Sequence, residues 1–507
     1  MGEKQPKTRE NSFLRKCAYG CADIYGGGAF VIISTFFTVF LTKALGMSPA
    51  LAGTIPLIGK IWDAVTDPIM GNITDRTQSK FGAKRFYILL GSIISAVTFL
   101  LMWIYLPISN AVGQYIFYML MYMLFSTGFT IVMVPYNALL PDMVDDYTIR
   151  AKFSGIRMMF STFGAIIAGL IPTIVISDNT NPTLYFYVAI FFAILFLIFI
   201  LLTFFGTWEK PKEPVKVSFG QTFVQSMTVY KSHTFRLFIA IFLLGQGAAD
   251  FVTGLAVYYV DDVLNCYHDG MFTILMGVLL VAQFLGTIIF SNIMKATSKR
   301  TPILIGFPIR IVATIALLFF STEISTGTGI PGTFYIILAL SFIIGLGMAA
   351  SSTTIYAILA DMADVDELIT SINRPGTCSA MATFIRKIAT GLSSTVIGIL
   401  LAMVGYDEIA ASEGRRQTAA VQMGITNIYI WVPILFMALT IAYAVVFPMG
   451  RKEFEVIKKD IARRKGEDDS VATPDEIRTC ERVTGFAYDK LWNKENALKF
   501  TSKKKEV

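Results

Sequence analysis

Residues 60–75 read Lys60-Ile-Trp-Asp63-Ala-Val-Thr66-Asp67-Pro68-Ile-Met-Gly-Asn-Ile-Thr-Asp75. They sit in a run, 49–74, that is otherwise apolar and long enough to cross a membrane as a helix. Lys60, Asp63 and Asp67 fall at i, i+3 and i+7, so the three charges share one helical face. A carboxylate at mid-bilayer costs about 2.5–3.5 kcal/mol on insertion scales. Two on one face therefore belong against a protein interior or a wet cavity, beside cations. Pro68 lacks an N–H and frees the carbonyl of Ala64 as a further oxygen ligand. Carboxylates and oxygens gathered at one point suit a monovalent cation or an exchangeable proton. The plainer alternative is a structural ion pair with Lys60.

Outward from this stretch the whole chain has the same solvent preference. Of 507 residues, 54% are hydrophobic and 16% charged, and the mean hydropathy is +0.61. These values indicate a polytopic membrane protein and argue against a soluble enzyme. The net charge of +7 is that of basic cytoplasmic loops. With no basic soluble domain, nucleic acid is not an expected partner. Five scattered cysteines and two histidines give neither a disulfide framework nor a transition-metal cluster. The charged first sixteen residues lack the pattern of a cleaved signal peptide.

Twelve apolar runs of spanning length follow one another, from 14–43 to 425–447. Arg76, Lys80, Lys84, Arg85, Arg150, Lys152, Lys295, Lys299 and Arg300 fall in alternate loops. The loops at 107–111, 177–182 and 322–331 hold no Lys or Arg. This asymmetry predicts a multi-pass protein of the cytoplasmic (plasma) membrane with both termini in the cytoplasm; Arg415 and Arg416 are the exception. A phrase also recurs. Ala138-Leu-Leu-Pro-Asp142-Met-Val-Asp145 resembles Ala357-Ile-Leu-Ala-Asp361-Met-Ala-Asp364, and each closes the fourth run of six. The expected fold is an all-α membrane protein with 12 transmembrane helices in two six-helix pseudo-symmetric halves around a central cavity. The divisions are an N-terminal half at 1–206, a middle loop at 207–233, a C-terminal half at 234–447 and a polar tail at 448–507. The tail is expected to be helical at first and disordered beyond.

The phrase Trp62-Asp-Ala-Val-Thr-Asp-Pro-Ile-Met-Gly71, with Asp75-Arg76 and Gly82-Ala-Lys84-Arg85, resembles the signature of the glycoside–pentoside–hexuronide:cation symporters. These form a branch of the major facilitator superfamily. Tyr19-Gly20, Val134-Pro135-Tyr136-Asn137 and Ala360-Asp-Met-Ala-Asp364 with Glu367 extend the resemblance over about residues 13–447. It implies the major facilitator fold and a secondary active symporter that couples inward Na+ or H+ movement to sugar uptake by alternating access. Asp63 and Asp67 match the family's helix 2 carboxylates, and a monovalent cation is the only metal they imply. Thr130 matches a threonine that gives oxygen to sodium. Thr66 stands where melibiose permease has an asparagine, which leaves the cation open. Lys387 matches a lysine near the cation site. Arg157 matches the family arginine of helix 5. Gly27 and Met133 stand where melibiose permease holds galactosyl hydroxyls with carboxylates. Asp23, one turn before Gly27, is the substitute. Asn137 replaces a stacking tryptophan. The substrate residues implied are Asp23, Tyr25, Gly27, Asn137, Arg157 and Lys387.

Asp75, Arg76, Lys84 and Arg85 are expected to gate the cytoplasmic face. Asp142, Asp145, Asp361, Asp364 and Glu367 are expected to join the halves there through breakable salt bridges, each worth about 0–1 kcal/mol. Arg310 is expected to snorkel to the same surface. Gly26-Gly27-Gly28 reads as close helix approach or as bending at the cavity. No cofactor is expected beyond the coupling cation, and no enzymatic activity. The expected partners of this monomer are a small sugar and membrane lipid. Two alternatives stay open: a cation-coupled lysolipid carrier of the same fold, and a non-transporting membrane sensor.

Overall fold

The computed structural model describes residues 12–108, 110–144, 147–209, 225–267, 270–321 and 333–498. Six long helices form the first half. They are α1 (Phe13–Ile32), α2 (Pro49–Arg76), α3 (Ala83–Leu101), α4 (Ala111–Met143), α5 (Tyr147–Val175) and α6 (Pro182–Gly206). Six more form the second: α7 (His233–Tyr258), α8 (Met271–Ala296), α9 (Thr301–Ala316), α10 (Thr333–Thr370), α11 (Pro375–Met403) and α12 (Ala419–Val446). Among the described residues, eleven spans are long and apolar enough to cross a membrane. The twelfth long helix is α2, whose 28 residues carry the charges at 60, 63 and 67.

Local chemistry sets the helix ends. Pro49 and Pro182 start α2 and α6, where a missing N–H costs nothing. Asn110 and Asn181 cap α4 and α6 by accepting from Val112 N and Thr183 N at 2.9 and 3.0 Å. Two π-helical turns, Ile33–Phe37 and Phe40–Ala44, prolong α1.

Within the first half α1 packs on α5 and α6, and α4 on α2 and α3; within the second α10 packs on α8 and α9, and α7 on α12. Between the halves the main contact runs along α2 and α11. The described chain starts, at Ser12, and ends, at Leu498, at one face, here called the base. At the distal face the halves are tied together. Lys43, 1% exposed, reaches Asp261 at 2.5 Å and Asp262 at 2.8 Å. Asn179 Nδ2 donates to Asp261 at 2.7 Å, and Thr42 pairs with Tyr258 at 2.7 Å. Gly398 lets the distal parts of α2 and α11 meet, since a Cβ there would fall 2.1 Å from the Pro49 carbonyl oxygen.

Two expectations change here. Arg310 does not snorkel. It is 0% exposed, with Nη2 donating to the Ala248 carbonyl at 3.0 Å and its stem covering Gly347. The α9–α10 contact is too close for so long a side chain to turn outward. The tail is folded beyond its first helix over the described residues, and 499–507 lie outside them. Helices α13 (Arg451–Lys465) and α14 (Pro474–Thr484) dock on the base of the second half, and the chain continues in turns to Leu498. Ile457, Ile461, Cys480 and Val483 are buried, and Trp492 N donates to the Leu368 carbonyl at 2.8 Å. Sparse apolar positions suffice because they face an existing helical surface.

Candidate cation and substrate site

The charged face of α2 meets α4 and α11 in the middle of the molecule. Asp63 is 1% exposed. One of its oxygens accepts from Lys60 Nζ at 3.1 Å and lies 4.0 Å from Lys387 Nζ; the other accepts from Ser126 Oγ. One turn on, Asp67 accepts from Thr130 Oγ1 at 2.7 Å and from Lys387 Nζ. Ser126 and Thr130 are one turn apart on α4, which matches the spacing of the two acids. The result is two carboxylates, two hydroxyls and two ammonium groups in a closed network. Buried Asp63 and half-buried Asp67 are tolerable here because each oxygen is bonded and the charges balance. Thr66 stands apart: its hydroxyl donates to the Trp62 carbonyl at 3.0 Å. The side chain of Pro68 lies outside the described residues. Beside the network is a cavity of about 510 Å³ lined by Lys60, Asp63, Tyr122, Ser126, Thr390 and Ser394, among others.

A second charged group joins α1 and α5. Arg157 Nε and Nη2 donate to the two oxygens of Asp23 at 3.1 and 3.3 Å. Nη2 also reaches Asn137 Oδ1 at 2.6 Å, and the guanidinium lies over the Tyr136 ring, 4.7 Å from its centroid. Asp23, Asn137 and Arg157 thus come together. Tyr25 and Gly27 do not join them. Tyr25 is buried in the first half against Phe129 and Phe196, with its hydroxyl on Ser95 at 2.6 Å. Gly27 faces Ser161, where a Cβ would fall 2.7 Å from the carbonyl oxygen. The glycine run is therefore the seat of α1 on α5. One residue past a charge on a helix is about 100° around the axis, which turns Tyr25, two past Asp23, into the core.

The gate residues are placed differently from expectation. Lys84 pairs with Asp142 inside the first half. Lys299 pairs with Asp361 at 2.5 Å inside the second. Asp364 and Glu367 are held by the tail, through Lys458 at 2.6 Å and Lys465 at 2.7 Å. These pairs do not bridge the halves, because each half brings its own basic loop over its own acids and the tail adds two lysines. Arg85 donates to the Phe204 carbonyl at 2.8 Å and lies over the Phe204 ring. Asp145 and the side chains of Asp75 and Arg76 lie outside the described residues.

One pair was missed in the sequence. Arg386 on α11 makes a two-pronged bond to Asp250 on α7, with both contacts at 2.6 Å. Helices α7 and α11 hold in the second half the places of α1 and α5 in the first. The signal is a second repeat: Gly20-Cys-Ala-Asp23, with Gly27 four residues on, parallels Gly247-Ala-Ala-Asp250, with Gly254 four residues on.

Two six-helix halves around a charged centre make this a transporter of the major facilitator fold. Residues 18–451 match the family described as "MFS/sugar transport protein", and the chain belongs to that family. It is 25% identical to the isoprimeverose transporter of Lactiplantibacillus pentosus, over 93% of this chain and 97% of that one. It is 25% identical to a glucuronide carrier protein homolog of Escherichia coli, over 88% and 95%. It shares 25% identity with a putative sulfoquinovose importer of Salmonella typhimurium, over 92% and 96%. Among solved structures, a bacterial homolog of the lysosomal transporter Spinster, inward-facing and unoccupied, superposes with TM-score 0.61 at 14% identity, over 92% of this chain and all of that one. The D-xylose–proton symporter gives 0.53 at 13% identity, over 83% and 96%.

Proposed function

We propose that this protein carries a sugar into the cell together with a monovalent cation, Na+ or H+. The observation that carries this reading is the position of Lys387. Its ammonium bridges the two α2 acids from the opposite half of the molecule. A cation entering between Asp63 and Asp67 competes with that ammonium, and the oxygens of Ser126 and Thr130 complete its surroundings. Displacing Lys387 loosens α11 from α2, the main seam between the halves. Cation binding and the relative position of the halves are then one linked equilibrium, and the linkage is reciprocal.

Asp23, Arg157 and Asn137 offer the sugar both acceptors and donors. A carboxylate and a guanidinium fork together match adjacent ring hydroxyls, and the fork also pairs with an acidic sugar. The names of the relatives cover both kinds, a neutral pentose-containing disaccharide and acidic sugars. The basic loops put the base in the cytoplasm. With the distal ends tied, the described conformation then opens inward. In the outward conformation the Lys43 cluster parts, and the base closes through residues of the gate set.

The test is uptake into proteoliposomes with an imposed Na+ or H+ gradient, using labelled isoprimeverose, a methyl glucuronide and sulfoquinovose. Accumulation that follows one cation gradient and is lost in Asp67→Asn is the expected result. Equal accumulation by Asp67→Asn removes the cation site. Absence of uptake of every sugar by folded protein removes the sugar reading.

A further inference from the structure

Asp250, held by Arg386, borders a second space between α7, α11 and the π-helical extension of α1. Its wall contains Asp250, Ser34, Thr38, Thr390, Ser393 and Ser394. Five hydroxyls and a carboxylate in one wall are expensive at membrane depth unless something polar meets them. The wall draws on both halves, since Ser34 and Thr38 come from the first and the rest from the second. It is continuous with the larger cavity, because Ser34, Thr390 and Ser394 line both.

The hydrogen bonds show what the wall asks for. Thr390 Oγ1 donates to the Arg386 carbonyl at 3.0 Å, Ser394 Oγ to the Thr390 carbonyl at 3.3 Å and Ser34 Oγ to the Val31 carbonyl at 3.1 Å. Their protons are committed to their own helices, and their lone pairs remain. Each Asp250 oxygen takes one bond from Arg386 and keeps a lone pair. Three of the five hydroxyls and Asp250 thus present acceptors, which suit a ligand with several donors. An anion is disfavoured beside the Asp250 carboxylate. An uncharged ring with several hydroxyls fits the chemistry.

We infer that Asp250, positioned by Arg386, and the hydroxyls that share its wall form a second sugar subsite, for an uncharged polyhydroxylated ring, on the C-terminal half. This rests on the symport reading and extends it. An acidic group on a substrate points away from this subsite, toward Arg157. The subsite also has a direct route to the cation centre. Arg386 and its neighbour Lys387 leave the same turn of α11, one toward Asp250 and the other toward Asp67. A ring that draws on Asp250 loosens its hold on Arg386 and so shifts the turn that holds Lys387 on the cation acids.

The experiment compares wild type, Asp250→Asn/Arg386→Gln and Ser34→Ala/Ser393→Ala in proteoliposomes. Initial sugar uptake is measured with the three probes above, and cation binding by calorimetry on the sugar-free protein. The paired variant removes both charges at once, so neither is left buried alone, and the hydroxyl variant leaves the ion pair intact. The expected result is a KM for isoprimeverose at least 10-fold higher in the first variant and about 3-fold higher in the second. Cation affinity in both stays within 2-fold of wild type. Unchanged KM for every sugar in both variants, with cation binding intact, overturns the subsite and leaves the symport reading standing. A fall in kcat alone, with KM unchanged, assigns the pair to the moving scaffold and also overturns it. If wild type carries none of the sugars, the symport reading fails and the subsite falls with it.

Discussion

The second helix of each half shows how far two copies of one architecture diverge. Helix α2 carries Lys60, Asp63 and Asp67 on one face, whereas α8 has no Asp, Glu, Lys or Arg from Met271 to Met294. The first and fifth helices diverge far less. Asp23 meets Arg157 across α1 and α5, and Asp250 meets Arg386 across α7 and α11. The paired charges are thus a property of the repeated unit, while the cluster of acids belongs to one copy. Charges that neutralise each other within a half are affordable in both. A cluster that needs a partner from the other half works in one copy only, because only one half can supply Lys387.

That contrast can be broken at several points. The largest effect is expected for Asp67→Asn, which should lower cation-driven accumulation about 100-fold or more while retaining sugar counterflow. Matched uptake and counterflow assays check it. Next is Lys43→Met, which leaves Asp261 and Asp262 buried without their ammonium. Removing one member of a buried ion pair costs about 3–5 kcal/mol, so the distal seam should open in most molecules. Labelling of a cysteine placed at Thr38 by an impermeant thiol reagent, added from the distal side, should rise at least 10-fold. Third, Leu279→Asp puts a carboxylate into α8 without the partners that α2 provides. Leu279 is 4% exposed against Gly345. A cost of about 2.5–3.5 kcal/mol should lower the yield of folded protein, read by size-exclusion chromatography, while Leu279→Met should be near neutral.

The smallest effect concerns the tail, which only the second half possesses. Glu476 receives the Thr473 N–H and bonds from Arg463 and Lys459. Led by the Thr473 backbone bond, these push its carboxyl down to about 2. A carboxyl held below its ordinary value stabilises the folded form fully above about 4.5 and loses that contribution as pH falls toward 2. Helix α14 should therefore stay held on α13 between pH 7 and 5 and loosen from it below about pH 4. Glu476→Gln should remove that part of the pH dependence. Hydrogen exchange of residues 451–484 at each pH measures it.

The sequence by itself determined the solvent, the number of long helices and the six-plus-six plan. Hydropathy and helix length are properties of single segments, and the repeated phrases sit at matching places in both halves. It also determined that Asp63 and Asp67 share a face, because helical spacing is local. Asp23 and Arg157 were legible only through resemblance, being 134 residues apart. The tertiary structure decided what spacing does not encode. It turned Tyr25 and Gly27 into helix contacts, enclosed Arg310, gave Asp364 and Glu367 to the tail and set Arg386 on Asp250. Each outcome depends on which neighbour lies within about 3 Å of a side chain. That follows from how twelve helices rotate and lean on one another, which no single helix specifies.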